Sequence, residues 1–359
     1  MQIDKRVKES LAWLISSQDT VPDDGFASHY ERGHGWHSSY PEVTGYIIPT
    51  LLKYSKVLQD DQLRKRAIRA TNWLLSIQNK TGSFQGRLID EQNPTPVVFN
   101  TGMIIFGLLS AYDETGFGSY LRSASSAGDW LVKIQDDNGA WTKFNTVNGD
   151  CLHNYHSRVA WALLELYKRT SEEKYLFAAT KNLKHCMASQ RTNGWFSHTS
   201  LTKDMQNAPL LHFIAYTIRG TLECGLFLND EKLIAQAILS ATEIKKSFEK
   251  YGNLFGRYEF DWSPACEWEC LTGSFQISII FAKIGRVDQS TNWHQSARKI
   301  FENALKVSRK SSCSFQTQGA VPGSFPLEGP YMQNCFLSWA TKFLLDSYYE
   351  LEMEVYDAM

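Results

Sequence analysis

Long apolar runs are missing from this 359-residue chain. The longest, GMIIFGLLSAY from Gly102, stops after 11 residues, about half of what a membrane-spanning helix needs. No integral membrane segment is expected. Charge of one sign is missing too. The 37 Lys and Arg stand against 38 Asp and Glu, a formal net charge of −1 with no long run of either sign. That excludes the broad basic face on which nucleic-acid binding rests. The seven cysteines are odd in number and never spaced CxxC, so reduced thiols in a cytoplasmic protein are the expectation. The first residues, MQIDKRVKESLAWLISSQ, thread charges through their apolar positions and lack the continuous apolar core of a signal peptide. There is no HExxH, no P-loop, no GxGxxG between a strand and a helix, and no nucleophile elbow. Neither a cofactor nor a metal is expected. With 43% hydrophobic and 13% aromatic residues, the chain has ample material for a core, which excludes disorder.

What is present is repetition. ESLAWLISSQD (from Glu9), ATNWLLSIQNKTGSF (from Ala70) and AGDWLVKIQDDNGAW (from Ala127) align, with Trp13, Trp73 and Trp130 spaced 60 and 57 residues apart. Gln18, Gln78 and Gln135 keep that spacing, and Gln190 follows 55 residues later, again before a Gly and an aromatic. A second set of segments alternates with the first: EVTGYIIPTLLKYSK, FNTGMIIFGLLSAY, HSRVAWALLELYKR, FIAYTIRGTLECGL, ECLTGSFQISIIFAKIG and NCFLSWATKFLLDSYYE. The first set reads as amphipathic helices and the second as helices apolar nearly all round, buried on both faces. Six such pairs, each of about 57 residues and with weaker outer copies near 231–251 and 291–309, predict an all-α (α/α)6 toroid. It comprises six inner and six outer helices in one domain over 1–359, with an open solenoid as the alternative.

The links polarise this barrel. Those from inner to outer helix are short (QDDQ, DETG, TSEE, NDEK), while those from outer to inner helix run to roughly 15–25 residues and must share one end, where function concentrates. Seven of the nine histidines fall there: His29, His34, His37, His153, His156, His198 and His212. So do Trp36, Tyr40, Trp141, Tyr155, Trp195, Tyr258, Trp262 and Trp268.

Two constellations stand out. In HYERGHGWHSSYPEVTGY, Tyr40 and Glu42 enter the first inner helix. Glu42 either serves the helix dipole or faces the cavity mouth as an acid or base beside a proton-exchanging tyrosine. In HNYHSR, His153 and His156 share a helical face with Tyr155 between them and Arg158 beyond. Together these could supply a base, a proton donor and an anion clamp. The catalytic candidates are thus Tyr40, Glu42, His153, Tyr155 and His156. The substrate-binding candidates are Trp36, His37, Asn100, Trp141, Arg158, Trp195, His212, Tyr216, Trp262, Glu269, Thr272 and Gln276. Buried Arg219 and Lys342 need partners, for which Glu223 and Asp346 are at hand. Asp261, Glu267, Glu269 and Glu328 complete the carboxylates that could serve glycoside hydrolysis with Glu42.

The Gln-x3-Gly-x-Trp pattern at Gln135, Gly139 and Trp141 resembles the QW repeat of terpenoid cyclases and protein prenyltransferases. Those families are α/α toroids, but the Asp-x-Asp-Asp acid motif and the zinc constellation are not in this chain. SYPEVTGYIIPTLL, HNYHSRVAWALLEL, CLTGSFQ and GAVPGSFPLEGPY together resemble bacterial toroid proteins associated with surface-polysaccharide biosynthesis. The resemblance implies a sugar or glycan partner, free or lipid-linked. Aromatic faces that stack on sugar rings and His, Tyr and Glu that shuttle protons favour a carbohydrate-active enzyme. Uronate elimination or epimerisation comes first, with His156 or Tyr40 as base and acid and Arg158 or Asn100 as clamp; glycoside hydrolysis comes next. An isoprenoid cyclase- or prenyltransferase-like enzyme and a non-catalytic glycan-binding protein are the alternatives. IQDDNGAW itself reads as architecture: a helix end, a Gly turn and an aromatic plug, with the Gln135 amide tying the turn to a neighbouring helix.

Overall fold

The computed structural model describes residues 4–146, 152–289, 292–312 and 314–353. Six outer helices are α1 (Lys5–Asp19), α3 (Asp61–Ile77), α5 (Gly118–Lys133), α7 (Glu173–Met187), α9 (Glu231–Tyr251) and α11 (Trp293–Ser311). Six inner helices alternate with them: α2 (Pro41–Leu58), α4 (Val98–Thr115), α6 (Ser157–Thr170), α8 (Leu211–Leu228), α10 (Leu271–Val287) and α12 (Ser338–Glu352). Each inner helix packs against the next, and α12 returns to α2. The ring is closed and the open solenoid is ruled out. Buried residues surround most of α4, α8 and α10, whereas the outer helices bury a single stripe, as in α3 at Leu63, Ala67, Ala70, Thr71, Trp73 and Leu74. The two hydropathy patterns therefore assign inner and outer positions correctly.

The short links are tighter than the sequence suggests. Gln59, Gly116, Ser171 and Asn229 end their inner helices in the left-handed conformation. Asp60 and Asp230 then cap the following helices by accepting from backbone amides two residues on, which satisfies donors a helix start leaves open. Among the described residues the long links carry five strands of two or three residues, too short to show an alternating pattern in sequence: β1 (His29–Glu31), β2 (Gly35–Trp36), β3 (Glu269–Cys270), β4 (Ser324–Phe325) and β5 (Cys335–Leu337). β1 pairs antiparallel with both β2 and β5, joining the first long link to the last. β3 pairs with β4.

The repeated glutamines are structural, as their periodicity predicts. Gln135 Nε2 donates to Gly139 O at 3.1 Å and to Ala178 O of α7 at 2.9 Å. Gln78 ties Gly82 O to Ser123 O of α5, and Gln190 ties Gly194 O to Gln236 O of α9. Each amide thus bonds its own turn to the next outer helix. Gly139 has φ +88°, and a Cβ there would lie 2.3 Å from Lys181 O, so the turn demands glycine twice over. Trp141 is the plug: it is fully buried, with Nε1 donating to Leu131 O at 2.8 Å. None of the helices described is long and apolar enough to cross a membrane.

Candidate active site

The starts of α2, α4 and α8, with the long links above them, enclose a cavity of about 610 Å3. Glu42 is the second residue of α2 and 8% exposed, with Tyr40 just before the helix. Burial raises the Glu42 carboxyl to about 7, opposed by a hydrogen bond from Tyr40 and by the charge of Arg158. Asn100, in the first turn of α4, donates from Nδ2 to the Tyr40 hydroxyl at 3.4 Å. Burial beside Glu42 holds that hydroxyl protonated. Tyr40, Glu42 and Asn100 all line the cavity, and Glu42 is the one carboxylate among the described residues that do.

His212 enters from α8. Its Nδ1 lies 2.8 Å from Gln276 Oε1 on α10, an oxygen that can only accept, so Nδ1 carries the proton and Nε2 keeps a lone pair. Burial lowers the ring to about 4, leaving it neutral at physiological pH. Tyr216 packs against the ring at 4.4 Å, and Tyr216, Tyr155 and Trp339 add aromatic faces to the wall. Thr272 lies beside the Tyr331 hydroxyl, and Tyr331 also lines the cavity. A protonatable carboxyl and a neutral imidazole that line one aromatic cavity have the chemistry needed to serve as acid and base.

The second constellation is brought together but stands behind the wall. His153 donates from Nδ1 to Ser200 O at 2.9 Å and stacks on Tyr155, and burial lowers its ring to about 4. His156 is 1% exposed and wedged among Trp141, His153 and Tyr155. Of HNYHSR only Tyr155 reaches the cavity. Three-residue spacing put both histidines on one face, but that face turns toward the Trp141 plug. Arg158 points away as well. Its guanidinium lies over the rings of Tyr216 and Trp161 and lines a separate recess of about 350 Å3 toward the short-link end. Burial draws its pKa down to about 10.

Other candidates are built into the links. Trp36 packs on Trp13 and Tyr30 in a small satellite cluster. His37 pairs with Glu31 at 2.9 Å. Trp195 meets Trp262 edge to face, and Trp262 Nε1 donates to Asn193 O at 2.9 Å. Burial raises Glu269 to about 7, on β3 outside the cavity lining. Asp261 folds its own turn by accepting from Ser263, and Asp261, Glu267 and Glu328 are exposed. Arg219 and Lys342 find the partners expected of them, Glu223 at 3.1 Å and Asp346 at 2.5 Å. Sequence reasoning missed Arg87, Lys203 and Tyr331, which also line the cavity. Arg87 and Lys203 stand in polar stretches that carry no signal; Tyr331, within GPY before the last inner helix, was visible as a loop aromatic.

The family described as beta-L-arabinofuranosidase, GH127 catalytic domain, matches residues 41–246. No curated protein sequence matches the chain significantly. Among solved structures, an unsaturated glucuronyl hydrolase specific for heparin superposes with TM-score 0.78 at 14% identity, covering 98% of this chain and 97% of that one. The cellobiose 2-epimerase of Bacillus thermoamylovorans superposes with TM-score 0.74 at 12% identity, covering 95% and 97%. A D-mannose isomerase gives 0.75 at 13%, covering 96% of each chain. At these identities the likeness is one of fold, and it agrees with the toroid read from the repeats.

Proposed function

The chain belongs to the family of the beta-L-arabinofuranosidase GH127 catalytic domain, and from that premise we propose that it transfers protons on a sugar, with Glu42 and His212 as its acid–base pair. It is a carbohydrate-active enzyme; the finer reading concerns the reaction. One observation carries it: Glu42 and His212 face a single cavity with pKa values pushed apart, about 7 and about 4. The favoured reaction is epimerisation or elimination next to a uronate carboxylate. His212 Nε2 takes the proton from the carbon beside the carboxylate, and the electron pair moves onto the carboxylate oxygens. Arg87 and Lys203, which line the cavity, offset the growing charge. Protonated Glu42 then gives its proton to that carbon from the other side; in an elimination the pair instead returns to form a ring C=C bond as the adjacent C–O bond breaks, and Glu42 protonates the departing oxygen. Tyr40, held protonated, keeps Glu42 oriented. His212 takes the place first given to His156, and Arg87 with Lys203 that given to Arg158.

The family match favours a second reading, hydrolysis of a glycosidic bond with Glu42 as the general acid. The likeness to toroid proteins of surface-polysaccharide biosynthesis supports a glycan intermediate as substrate, free or lipid-linked, handled in the cytoplasm. Turnover of uronate-containing oligosaccharides in D2O separates the two readings. Deuterium retained on a ring carbon of the product supports epimerisation, a new reducing end accompanied by the ultraviolet absorbance of an unsaturated uronate supports elimination, and a new reducing end with neither supports hydrolysis. Glu42→Gln and His212→Gln should each cost at least 100-fold in kcat. Activity left intact in His212→Gln would overturn the assignment of the base.

A further inference from the structure

The first long link holds His29, Glu31, His34 and His37, none of which lines the cavity. His29 and Glu31 are two residues apart on β1 and project from the same face of the strand. The pairing of β1 with β5 sets Cys335 directly opposite Glu31. Donor atoms of His29, Glu31 and Cys335 all lie within 4.8 Å of one another. His37 Nε2 stands 2.9 Å from Glu31 Oε2, and its ring stacks on that of His29 with centroids 3.9 Å apart. Ser28 Oγ, at 2.7 Å, engages His29 Nδ1, which leaves Nε2 for an outside partner. A hydrogen bond on the far ring nitrogen is the usual support of a metal-bound histidine.

We infer that His29, Glu31 and Cys335 form a divalent-metal site that binds zinc and fastens the first link of the ring to the last, with His37 hydrogen-bonded to Glu31 as its support. The donor set selects the ion. An imidazole and a thiolate disfavour calcium and magnesium, which take oxygen ligands. Donors of the His, Cys and carboxylate types match three corners of a tetrahedral zinc site. An ion held by the first link and the last would serve a structural task. Its place in the fold agrees: the site straddles the junction where α12 returns to α1 and α2, and β1–β5 is the strand pairing that crosses it. His29 meets Trp339 edge-on, and Trp339 belongs to the cavity wall, so the ion would brace that wall from behind. Spacing in the sequence could not reveal the site, because Cys335 follows His29 by about 300 residues.

The test uses full-length protein freed of any histidine tag. After zinc loading and dialysis, elemental analysis should find close to one equivalent per chain. Cobalt in place of zinc should give a thiolate charge-transfer band in the near ultraviolet and visible bands of tetrahedral intensity. Cys335→Ser should abolish the charge-transfer band. His29→Gln and Glu31→Gln should each weaken zinc binding at least tenfold. A chelator should lower the thermal midpoint of the native protein and leave that of Cys335→Ser unchanged. Wild-type protein that retains no zinc, or cobalt protein without the thiolate band, would overturn the inference. So would full zinc retention in folded His29→Gln. The first two results need no variant to fold.

Discussion

Replacing Gly139 by alanine separates two reasons for a glycine in the repeat turns, and Gly252→Ala serves as its control. Both residues have positive φ, +88° and +78°, so both alanines suffer the left-handed strain, about 1 kcal/mol or somewhat more. Gly252, at the end of α9, has nothing within 4 Å of an added Cβ, and strain is all it should feel. Gly139 faces α7 at close quarters: its Cβ would meet Lys181 O at 2.3 Å and Asn182 N at 3.1 Å. Ordinary contact begins at 3.4 Å, so the turn and α7 must separate by about 1 Å, an overpacking that costs roughly 1–3 kcal/mol. That separation also pulls on two bonds spanning the same gap, Asn182 Nδ2 to Gly139 O at 2.9 Å and Gln135 Nε2 to Ala178 O, each worth about 1 kcal/mol. Gly139→Ala should therefore lose about 4 kcal/mol, and Gly252→Ala about 1 kcal/mol. Urea unfolding followed by circular dichroism at 222 nm, with thermal midpoints alongside, reads the difference. Equal midpoint shifts in the two variants would refute the claim that close approach of backbone fixes this turn.

Glu42 makes a prediction of unusual sign. Its folded pKa of about 7 lies above the ordinary 4.5, so the folded state holds the proton more tightly and stability falls as pH rises from 4.5 through 7. Glu42→Gln should accordingly stabilise the protein at pH 8, by up to about 3 kcal/mol, and by little at pH 4.5; a constant difference across that range refutes the raised pKa. His212 acts oppositely: its folded pKa of about 4 lies below 6.5, so stability is lost as pH falls through that interval. His212→Gln should flatten the acid limb of a thermal-midpoint profile. Glu223→Gln leaves Arg219 and Lys283 facing a neutral amide in the recess and should destabilise by about 3 kcal/mol or more, measured by the same unfolding. Trp36→Phe, being outside the cavity, should leave kcat/KM within a factor of about two while lowering stability by about 1 kcal/mol through lost packing on Trp13.

The architecture was legible because it repeats. A Trp and a Gln that recur near every 57 residues cannot all be catalytic, and their period located the turns, the outer helices and the end bearing the long links. Inner helices announced themselves by apolar residues on every side. The site was legible only at helix entries: Tyr40, Glu42, Asn100, His212 and Tyr216 reach the cavity because the first two turns of an inner helix face its mouth. The same logic failed one residue at a time. His156 and Arg158 also open an inner helix, yet a turn of 3-10 helix at Asn154–His156 precedes α6 and rotates them toward the plug and the recess. Link residues such as Arg87 could not be placed at all, since irregular backbone has no period from which to project a side chain. Nor could the pairing of β1 with β5, which joins segments from opposite ends of the chain.

Closure of the ring changes how the protein can come apart. In an open stack of helix pairs each unit leans on its neighbours, and the terminal units, with one neighbour, fray first and need polar caps. Here every inner helix has two neighbours, because α12 returns to α2. No pair is terminal, and the first to leave must give up two interfaces at once. Melting should therefore begin as a single breach at whichever joint is weakest, and a loss of cooperativity on cutting that joint would identify it.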